Sequence, residues 1–360
     1  MQVTITRTTL PVIDVAGDHR TIGNAIGEAL RDGLQAVTES HRAGVERDLG
    51  WARAMDLAAT LLPQAEAAMP HCVAELRGMA GGSGVPFETL FSMNALQETR
   101  FLIRAADGAG EDDEGCTSLA VSGTATAGGG TLLAHNEDAG TIRRALPYVV
   151  RARPTDRPAF VGFAYSGLLL YQGLNDRGIG SVGNALSFRD IRPGTPKLLA
   201  YRDVLDATFL EDAIRRTQRA GRANGNNHLV ANADGDIYDI EVSATRAALI
   251  PGRDMLAHTN HATDDAMREL EWGDHLNSRM RLHRVETLLD RGRGRHDADS
   301  LFAILSDHSN YPKSVCKHHD VEVNPDVQTV ASVVVDLDAG LLHVRPGHPC
   351  DTETTTVALG

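Results

Sequence analysis

Cys116 is the residue whose surroundings best suit nucleophilic chemistry. It follows Gly115 and an acidic, glycine-rich stretch, and it precedes an apolar, β-branched run. A second such run ends at Asp138, with the glycines Gly128–Gly130 between the two runs. This pattern predicts a β-hairpin that folds near Ala127 and brings Cys116 beside Asp138. A thiol next to a carboxylate is typical of a nucleophile and the group that orients it.

The elements that must position this pair fall into blocks of helices and blocks of strands. From about Thr21 to Arg104, apolar residues recur at three- and four-residue spacing, which predicts helices. After the hairpin the period changes to two, which predicts strands joined by tight glycine turns. Further helices are predicted at residues 198–220, 278–289 and 300–305. Consecutive strands with grouped helices indicate an antiparallel α+β fold rather than a parallel βαβ fold.

Composition limits the class of protein. The 360 residues are 42% hydrophobic, as in a globular protein with a sizeable core, and the formal net charge is -13. Since the sequence has no basic patch, this charge argues against a nucleic-acid partner. The four cysteines show no disulfide framework, and there is no basic-then-apolar leader or membrane-length apolar run. We therefore expect a reduced, soluble, cytoplasmic protein with no membrane partner.

Several motifs, in this order along the chain, resemble the acyl-coenzyme A:6-aminopenicillanate acyltransferase family, also known as peptidase family C45. They extend from about residue 20 to the C-terminus, and the ordered set is more specific than any one member. The matching stretches are Glu75–Ala80, Gly84–Phe87, Gly115–Ser118, Asn136–Asp138, Gly173–Gly178, His258–His261, Asp307–His308, Tyr311–His318 and Thr329–Ser332.

The resemblance implies an N-terminal-nucleophile hydrolase with a four-layer αββα sandwich, two antiparallel sheets between helical layers, as one domain over residues 1–360. It also implies that the precursor cuts its own chain before Cys116. The products are a mainly helical α subunit, residues 1–115, and a β subunit, residues 116–360. Carried over by position, Cys116 is the nucleophile, Asp138 its orienting carboxylate and Asn260 the oxyanion donor. Glu137 departs from the penicillin-biosynthetic enzyme, which has tryptophan there, so that enzyme's substrate is not carried over.

The residue types suit this chemistry independently. Cleavage would expose the α-amino group of Cys116, which titrates near pH ~7.7–8.0, so its neutral form can take the thiol proton. Asp138 can hold that amine by a charge-assisted hydrogen bond. Asn260 can donate N–H groups to a tetrahedral oxyanion, where one donor is worth roughly 3–4 kcal/mol. Gly115, which has no Cβ, lets its carbonyl approach the thiol.

Other side chains are weaker candidates for substrate binding. The aromatic run around Phe163, Tyr165 and Ser166 is either a core strand or the mouth of an acyl-group pocket. Arg279 and Arg284 are equally suited to surface salt bridges and to binding a substrate carboxylate. His261 and its neighbour His258 flank Asn260, and strand alternation argues for a structural or pocket-lining role rather than catalysis by both.

Metal-ligand residue types occur late in the chain, in Cys316-Lys317-His318-His319 and His348-Pro349-Cys350. Neither stretch contains a compact C-x₂-C pair, and the two are far apart in sequence. We therefore expect polar turns here, no metal site and no cofactor.

Three functions remain open at this point. The leading one is a self-processing amidohydrolase or acyltransferase that acts on a small acylated amine or peptide-like amide through a Cys116 thioester. The alternatives are an uncleaved cysteine protease with a histidine base and a non-catalytic, hydrolase-like binding protein. The expected partners are a small-molecule substrate and the two subunits of one precursor. The sequence makes no prediction of further oligomerisation.

Overall fold

The computed structural model describes residues 5–6, 10–107, 115–140, 146–169, 171–324 and 327–360. The acidic stretch before Gly115 is predicted to be an exposed loop, and its residues 108–114 lie outside the described part. The helices are α1 (His19–Ala29), α2 (Arg31–Leu49), α3 (Trp51–Ala68), α4 (Pro70–Ser83), α5 (Phe87–Asn94), α6 (Leu96–Asp107), α7 (Lys197–Val204), α8 (Leu210–Thr217), α9 (Asp265–Arg268), α10 (Leu276–Gly292) and α11 (Ala298–Leu305). None of the described helices is both long and apolar enough to cross a membrane.

The strands form two sheets. They are β1 (Ile5–Thr6), β2 (Val12–Gly17), β3 (Thr117–Val121), β4 (Leu132–Gly140), β5 (Pro147–Pro154), β6 (Phe160–Tyr165), β7 (Gln172–Asn175), β8 (Ile179–Val182), β9 (Ala185–Leu186), β10 (Gly225–Asn232), β11 (Ile237–Val242), β12 (Ala247–Pro251), β13 (Met255–His258), β14 (Val327–Asp336), β15 (Leu341–Pro346) and β16 (Thr355–Ala358). The larger sheet has the order β1-β2-β5-β6-β7-β8-β10-β11-β12, with β9 also paired to β10, and the smaller has the order β13-β3-β4-β14-β15-β16.

The predicted antiparallel pairing is correct except at one place, where β2 runs parallel to β5. A parallel pair needs a long crossover connection. Here the whole helical block and the first hairpin lie between the two strands. The predicted periodicity could not reveal this, because it reports which faces are buried and not the direction of a neighbouring strand.

Alternating side chains show the four layers. In β14, Val333 and Val335 face the core between the sheets, whereas Val334 packs against the α10 and α11 layer. In β10, Leu229 faces the same central core, while Val230 packs with the α8 layer on the opposite face. Each sheet is therefore covered by helices on its outer face, which confirms the predicted αββα sandwich.

Small residues let α1 and α4 approach closely. A Cβ on Gly23 or Gly27 of α1 would overlap the backbone carbonyls of Glu75 or Met79, and a Cβ on Gly78 of α4 would overlap the carbonyl of Arg20. Gly82 of α4 lies four residues after Gly78, and a Cβ there would overlap the carbonyl of Asn24. Each helix thus presents two glycines, four residues apart, where the other helix leaves space only for a hydrogen atom. This contact fixes the helical layer that carries α5 and α6 to the candidate site.

The predicted hairpin is formed by β3 and β4, with a register one residue away from the prediction. Thr117 pairs with Asn136, so the same register continued by one residue sets Cys116 opposite Glu137 rather than Asp138. The turn centre falls between residues 126 and 127, and a half-residue shift of the centre moves every cross-strand partner by one. Asp138 pairs instead with Thr329 of β14 on the other side of β4.

Candidate active site

Cys116 lies one residue before β3 and is buried. Its backbone N–H donates a 2.7 Å hydrogen bond to Asn260 Oδ1, and its Sγ lies 3.8 Å from the carbonyl oxygen of Asp138. The three residues predicted from sequence to act together are thus neighbours in the fold. Cys116 directly precedes β3, Asp138 belongs to β4 and Asn260 lies two residues after β13, and these three strands are neighbours in the smaller sheet.

Asp138 is a buried carboxylate with two different oxygens. Oδ1 accepts a 2.6 Å hydrogen bond from Thr329 Oγ1. Among the described residues, no group donates a hydrogen bond to Oδ2, although Lys317 Nζ lies 3.9 Å away. Burial raises the pKa of Asp138 to about 6, against the opposing effects of Lys317 and Arg281. Oδ2 is therefore a desolvated acceptor that a nearby cation or N–H group would stabilise.

Gly115 stands directly against this acceptor. A Cβ on Gly115 would overlap Lys317 Nζ and would lie 3.2 Å from Asp138 Oδ2. The missing side chain therefore leaves the peptide bond before Cys116 in direct reach of both charged groups.

The orientation of Asn260 follows from its neighbours. Because the Cys116 N–H can only donate, the accepting atom must be the side-chain oxygen, so Nδ2 is the atom that donates to the carbonyl oxygen of Ala185 at 3.1 Å. Ser278 Oγ fixes the backbone by accepting from the Asn260 N–H at 2.7 Å. One of the two Nδ2 hydrogens is used by Ala185, and no acceptor for the second is found in the part of the chain that the structure describes.

Arg281 is a site residue that the sequence interpretation missed in favour of Arg279 and Arg284. Its Nη1 donates to the Cys116 carbonyl oxygen at 2.5 Å, and its Nη2 donates to Asn260 Oδ1 at 2.9 Å. The guanidinium therefore connects the backbone of Cys116 to the side chain of Asn260. The available signal was an arginine on the buried stripe of α10, where Ser278, Val285 and Leu289 are the other buried residues.

Glu137 lies near the Cys116 thiol and belongs to a buried polar network. It accepts a 2.8 Å hydrogen bond from Tyr165 OH, and its Oε2 lies 3.1 Å from His135 Nε2. A ring nitrogen of His135 comes within 4.8 Å of the Cys116 thiol. However, His135 Nδ1 is itself 2.9 Å from Ser118 Oγ, so both ring nitrogens already have partners. This arrangement does not suit His135 to act as the general base for Cys116.

A cavity of about 540 Å³, which includes space open to solvent, adjoins Cys116. Both sides of the predicted cleavage point contribute to its walls. Its lining includes Met93, Leu96, Glu98, Tyr165, Lys197 and Leu198. The walls are therefore mixed, with apolar surface from α5, α6 and α7 beside a small number of charged groups.

The weaker substrate-binding candidates separate into two groups. Tyr165 lines the cavity, whereas Phe163 is a core residue and Ser166 is not among the lining residues. Arg279 and Arg284 also lie outside it, because they form salt bridges with Glu271 and Asp307. Neither arginine belongs to the buried stripe of α10, and both side chains therefore point away from the cavity.

The two histidines that flank Asn260 are held by buried hydrogen bonds. His258 Nε2 lies 3.0 Å from Glu241 Oε1. Burial alone would lower its pKa, but Asp239 and Glu241 raise it to about 9, so His258 is a charged structural partner. His261 Nδ1 lies 2.8 Å from Ser278 Oγ, and burial lowers the pKa of His261 to about 3. His261 is not part of the cavity lining.

The late cysteines and histidines are closer together than their spacing predicts. One potential metal-ligating atom from each of His308, Cys316, His318 and Cys350 lies within 4.8 Å of the other three. A sequence separation of 34 residues between the two cysteines concealed this contact.

Comparison with known proteins identifies the family. The family model described as acyl-coenzyme A:6-aminopenicillanic acid acyl-transferase matches residues 125–350, a range that includes Asp138, Asn260 and Arg281 and begins after Cys116. No curated protein matches the chain. Penicillin V acylase from Agrobacterium tumefaciens is similar in structure, with a TM-score of 0.46 and 13% identity over 68% of this chain and 86% of that chain. A mutant conjugated bile acid hydrolase from Clostridium perfringens has a TM-score of 0.43 and 14% identity over 67% of this chain and 96% of that chain.

Likenesses of this size carry no information about activity, whereas the family match extends over more than half of the chain. The chain therefore belongs to the acyl-coenzyme A:6-aminopenicillanic acid acyl-transferase family.

Proposed function

We propose that this chain cuts itself between Gly115 and Cys116 and then acts as an amide hydrolase or acyltransferase with Cys116 as nucleophile. The observation that carries the proposal is the buried Asp138 Oδ2, which has no hydrogen-bond donor among the described residues and lies against Gly115. Cleavage would create an α-amine at this place, and that amine would provide the missing donor.

Self-cleavage would proceed through a thioester. The Cys116 thiol attacks the Gly115 carbonyl carbon, the peptide C–N bond breaks, and the nitrogen takes the proton that the thiol loses. Water then hydrolyses the thioester, which leaves a carboxylate on Gly115 and a free thiol and α-amine on Cys116. Asn260 Oδ1, which accepts from the Cys116 N–H at 2.7 Å, would hold the scissile amide during the attack.

In turnover, the same thiol would attack the carbonyl of a substrate amide. The neutral α-amine of Cys116 takes the thiol proton and returns it to the leaving amine, so nucleophile and base belong to one residue. The second Nδ2 hydrogen of Asn260 would stabilise the tetrahedral oxyanion. The acyl group then passes from Cys116 to water or to an acceptor amine.

The position of Cys116 supports a small substrate. The residue is buried, and the cavity beside it is lined by α5, α6 and α7, so a substrate must enter this recess to reach the thiol. The family name points to acyl transfer on a small acylated amine. We therefore propose an acylated amine or peptide-like amide as substrate rather than a folded protein.

Intact mass and N-terminal sequencing of the purified protein test the cleavage. We expect two pieces, residues 1–115 and residues 116–360, with Cys116 at the new N-terminus. Cys116→Ala should stay full length, while Cys72→Ala, which removes a buried thiol outside the cavity lining, should still be cleaved. A fully active protein of full length would contradict the proposal and favour an uncleaved cysteine protease.

A panel of N-acyl amino acids, N-acyl amines and β-lactam side-chain amides tests the substrate class. Hydroxylamine added during turnover should divert the acyl group from the Cys116 thioester to a hydroxamate, and Cys116→Ala should form none. Cleaved, folded protein that is inert on the panel yet digests casein would be a protease. Cleaved protein inert on both would favour a binding role.

A further inference from the structure

Two separate segments meet on the outer side of the candidate site. The first is the loop after α11, residues 306–319, which is held by backbone hydrogen bonds from the Cys316 N–H to the Asp307 oxygen and from the His318 N–H to the Pro312 oxygen, both 3.0 Å. The second is the turn after β15, where Arg345 Nη1 donates to the Pro349 oxygen at 2.8 Å. These contacts fix the backbones from which four side chains converge.

The converging atoms are two thiol sulfurs and two ring nitrogens. Cys316 Sγ lies 3.7 Å from Cys350 Sγ, and His318 Nε2 lies 3.4 Å and 3.6 Å from the two sulfurs. His308 Nε2 lies 3.1 Å from His318 Nε2. The four potential ligand atoms thus all lie within 4.8 Å of one another.

Hydrogen bonding alone explains this convergence poorly. A histidine ring nitrogen carries either one hydrogen or one lone pair, so it makes one good hydrogen bond. His318 Nε2 has three polar neighbours, namely His308 Nε2 and the sulfurs of Cys316 and Cys350, within 3.6 Å. A cation at the centre would satisfy all four ligand atoms at once.

We propose that His308, Cys316, His318 and Cys350 bind one Zn²⁺ ion. Zinc bonds of about 2.3 Å to sulfur and about 2.0–2.1 Å to nitrogen, in a tetrahedron, require ligand separations of about 3.8 Å for S···S, about 3.6 Å for S···N and about 3.4 Å for N···N. Four of the six separations, at 3.7, 3.4, 3.6 and 3.1 Å, lie within about 0.3 Å of these values. The other two, from His308 to the sulfurs, are no longer than 4.8 Å. Two thiolates with two imidazoles is also a donor set that suits zinc.

Binding would be structural in kind. All four positions of the tetrahedron are taken by protein atoms, which leaves none for water or substrate. Each thiol gives up one proton as Zn²⁺ binds, so the two thiolates neutralise the charge of the ion. Cys350 and His308 are exposed and provide a route for entry, while Cys316 is buried.

The site would also fix one group of the candidate active site. Lys317 lies between two of the ligands, its Nζ is 3.9 Å from Asp138 Oδ2, and its backbone N–H donates to Thr329 Oγ1 at 2.9 Å. Zinc would therefore hold the loop that brings Lys317 to Asp138. This consequence rests on the proposed function, whereas metal binding itself does not.

Other groupings of potential ligands have a different explanation. Asp203 is paired with Arg216 and Arg219, so the cluster of Asp203 with His71 and Asp206 is already compensated. His258 is compensated by Glu241 in the same way. A disulfide between Cys316 and Cys350 is the main rival, and it would leave the convergence of two histidine nitrogens without a reason.

Untagged protein, expressed with zinc in the medium and dialysed against metal-free buffer, provides the first test. Elemental analysis should find about one zinc per chain. After removal of zinc under reducing conditions, added Co²⁺ should give thiolate-to-cobalt charge-transfer absorption and the intense visible bands of a tetrahedral site. Zinc should displace the cobalt and abolish the spectrum.

Variants locate the metal. Cys350→Ser, at an exposed position, should lower the zinc affinity by more than the roughly 10–100-fold that loss of an outer-shell partner costs. His319→Ala, which changes an exposed histidine in the same loop outside the cluster, should keep the metal. Cys116→Ala should also keep it, so that a failed cleavage reaction and a failed metal site give different results.

Three outcomes would overturn the proposal. The first is wild-type protein that carries no zinc and gives no thiolate-to-cobalt absorption after reduction. The second is a purified chain whose mass is lower by two hydrogens, with no metal, because Cys316 and Cys350 are joined by a disulfide. The third is zinc retained by Cys350→Ser with unchanged affinity.

Discussion

At Gly115, a single added methyl group would overlap Lys317 Nζ and crowd Asp138 Oδ2. Because the end of the lysine side chain is flexible, Gly115→Ala should fold but displace Lys317 from the peptide bond between Gly115 and Cys116. A displacement of about 1 Å can cost up to roughly 10²-fold in rate, so we expect cleavage at least about tenfold slower. A time course of full-length and cut protein by mass spectrometry measures it.

Gly128→Ala is the matched control, because a Cβ at Gly128 meets no atom within 4 Å. It lies in the same hairpin and should be cleaved at the parental rate. Equal rates for both variants would mean that the space around Gly115 does not matter for processing.

Asp138 should make the uncut chain sensitive to pH. Burial raises its folded-state pKa from 3.8 to about 6. Its stabilising contribution is therefore complete below pH 3.8 and is lost as the pH rises through about 6, a change of roughly 3 kcal/mol at 1.36 kcal/mol per unit. We therefore compare Cys116→Ala with the double variant that also carries Asp138→Asn. As the pH rises from 3.8 through about 6, the free energy of unfolding of the double variant should increase relative to that of Cys116→Ala.

Urea unfolding of the two uncut proteins at a series of pH values measures this difference. The cleaved parent is a further comparison, because an α-ammonium group beside Asp138 would lower the pKa of the carboxyl and reduce the effect. If the two proteins differ in free energy of unfolding by the same amount at every pH, the pKa of Asp138 is not raised in the folded protein.

The candidate site itself could be predicted in part. Cys116, Asp138 and Asn260 are neighbours, as the hairpin pattern and the resemblance indicate together. Arg281 was not found, because periodicity identifies a buried helix stripe but gives no reason to expect a charged residue on it. The four candidate metal ligands were rejected, since spacing rules recognise ligands from one local segment and these come from two.

Among the elements, the contact of α1 with α4 depends on glycine. Gly78→Ala would drive a Cβ into the carbonyl of Arg20, a backbone atom that cannot move away freely. Overpacking of this kind typically costs about 1–3 kcal/mol. We therefore expect a lower free energy of unfolding, measured by urea titration, with the cleavage reaction slowed only as far as folding is impaired.

Gly81→Ala is the companion change in the same helix. Its Cβ would meet only Asn24 Oδ1, at 3.4 Å, and the position is exposed. Since alanine favours helix over glycine by up to about 1 kcal/mol, Gly81→Ala should be neutral or stabilising. Destabilisation of similar size in both variants would show that the helix, rather than the crossing, is sensitive.

The helical block from Thr21 to Arg104 was predictable because apolar residues mark one face of each helix. The crossing of α1 and α4 was not, since a glycine in a helical pattern usually signals a weak helix rather than a close contact. The sequence pattern also does not reveal strand direction. The parallel pairing of β2 with β5 depends on how elements that are distant in sequence pack together.

Across the whole molecule, buried charges connect residues on both sides of the predicted cut. Arg202, fully buried, donates to Glu75 Oε2 at 2.9 Å and to Asp206 Oδ1 at 2.7 Å. Removing one member of a buried ion pair costs about 3–5 kcal/mol, because the other charge loses its compensation. Glu75→Gln should therefore destabilise the protein strongly, whereas Glu211→Gln, from an exposed pair with Arg215, should cost little.

The same network predicts acid sensitivity. Burial alone would raise the pKa of Glu75, but Arg202 and His19 lower it from 4.5 to about 2. The resulting stabilisation is present above pH 4.5 and is lost as the pH falls through about 2, an effect of roughly 3 kcal/mol. The difference in free energy of unfolding between the parent and Glu75→Gln should therefore be smaller at pH 3 than at pH 7. An equal difference at both pH values would place the acid-sensitive group elsewhere.

Cleavage should leave the size of the molecule unchanged under native conditions. Residues 1–115 contribute β2 to the larger sheet, beside β5 from residues 116–360. We expect both pieces to elute together in size-exclusion chromatography and to separate only in denaturant. Release of the N-terminal piece from active protein would contradict this expectation.

The position of β3 gives the new chain end an unusual property. Chain ends normally fray, because little holds them. β3, however, lies between β13 and β4, so a terminus made at Cys116 would begin next to a strand that is hydrogen-bonded along both edges. Arg281 would still donate a hydrogen bond to the carbonyl oxygen of Cys116. The amine would therefore be fixed in space from the moment it formed, with the entropy of ordering it already lost when the precursor folded.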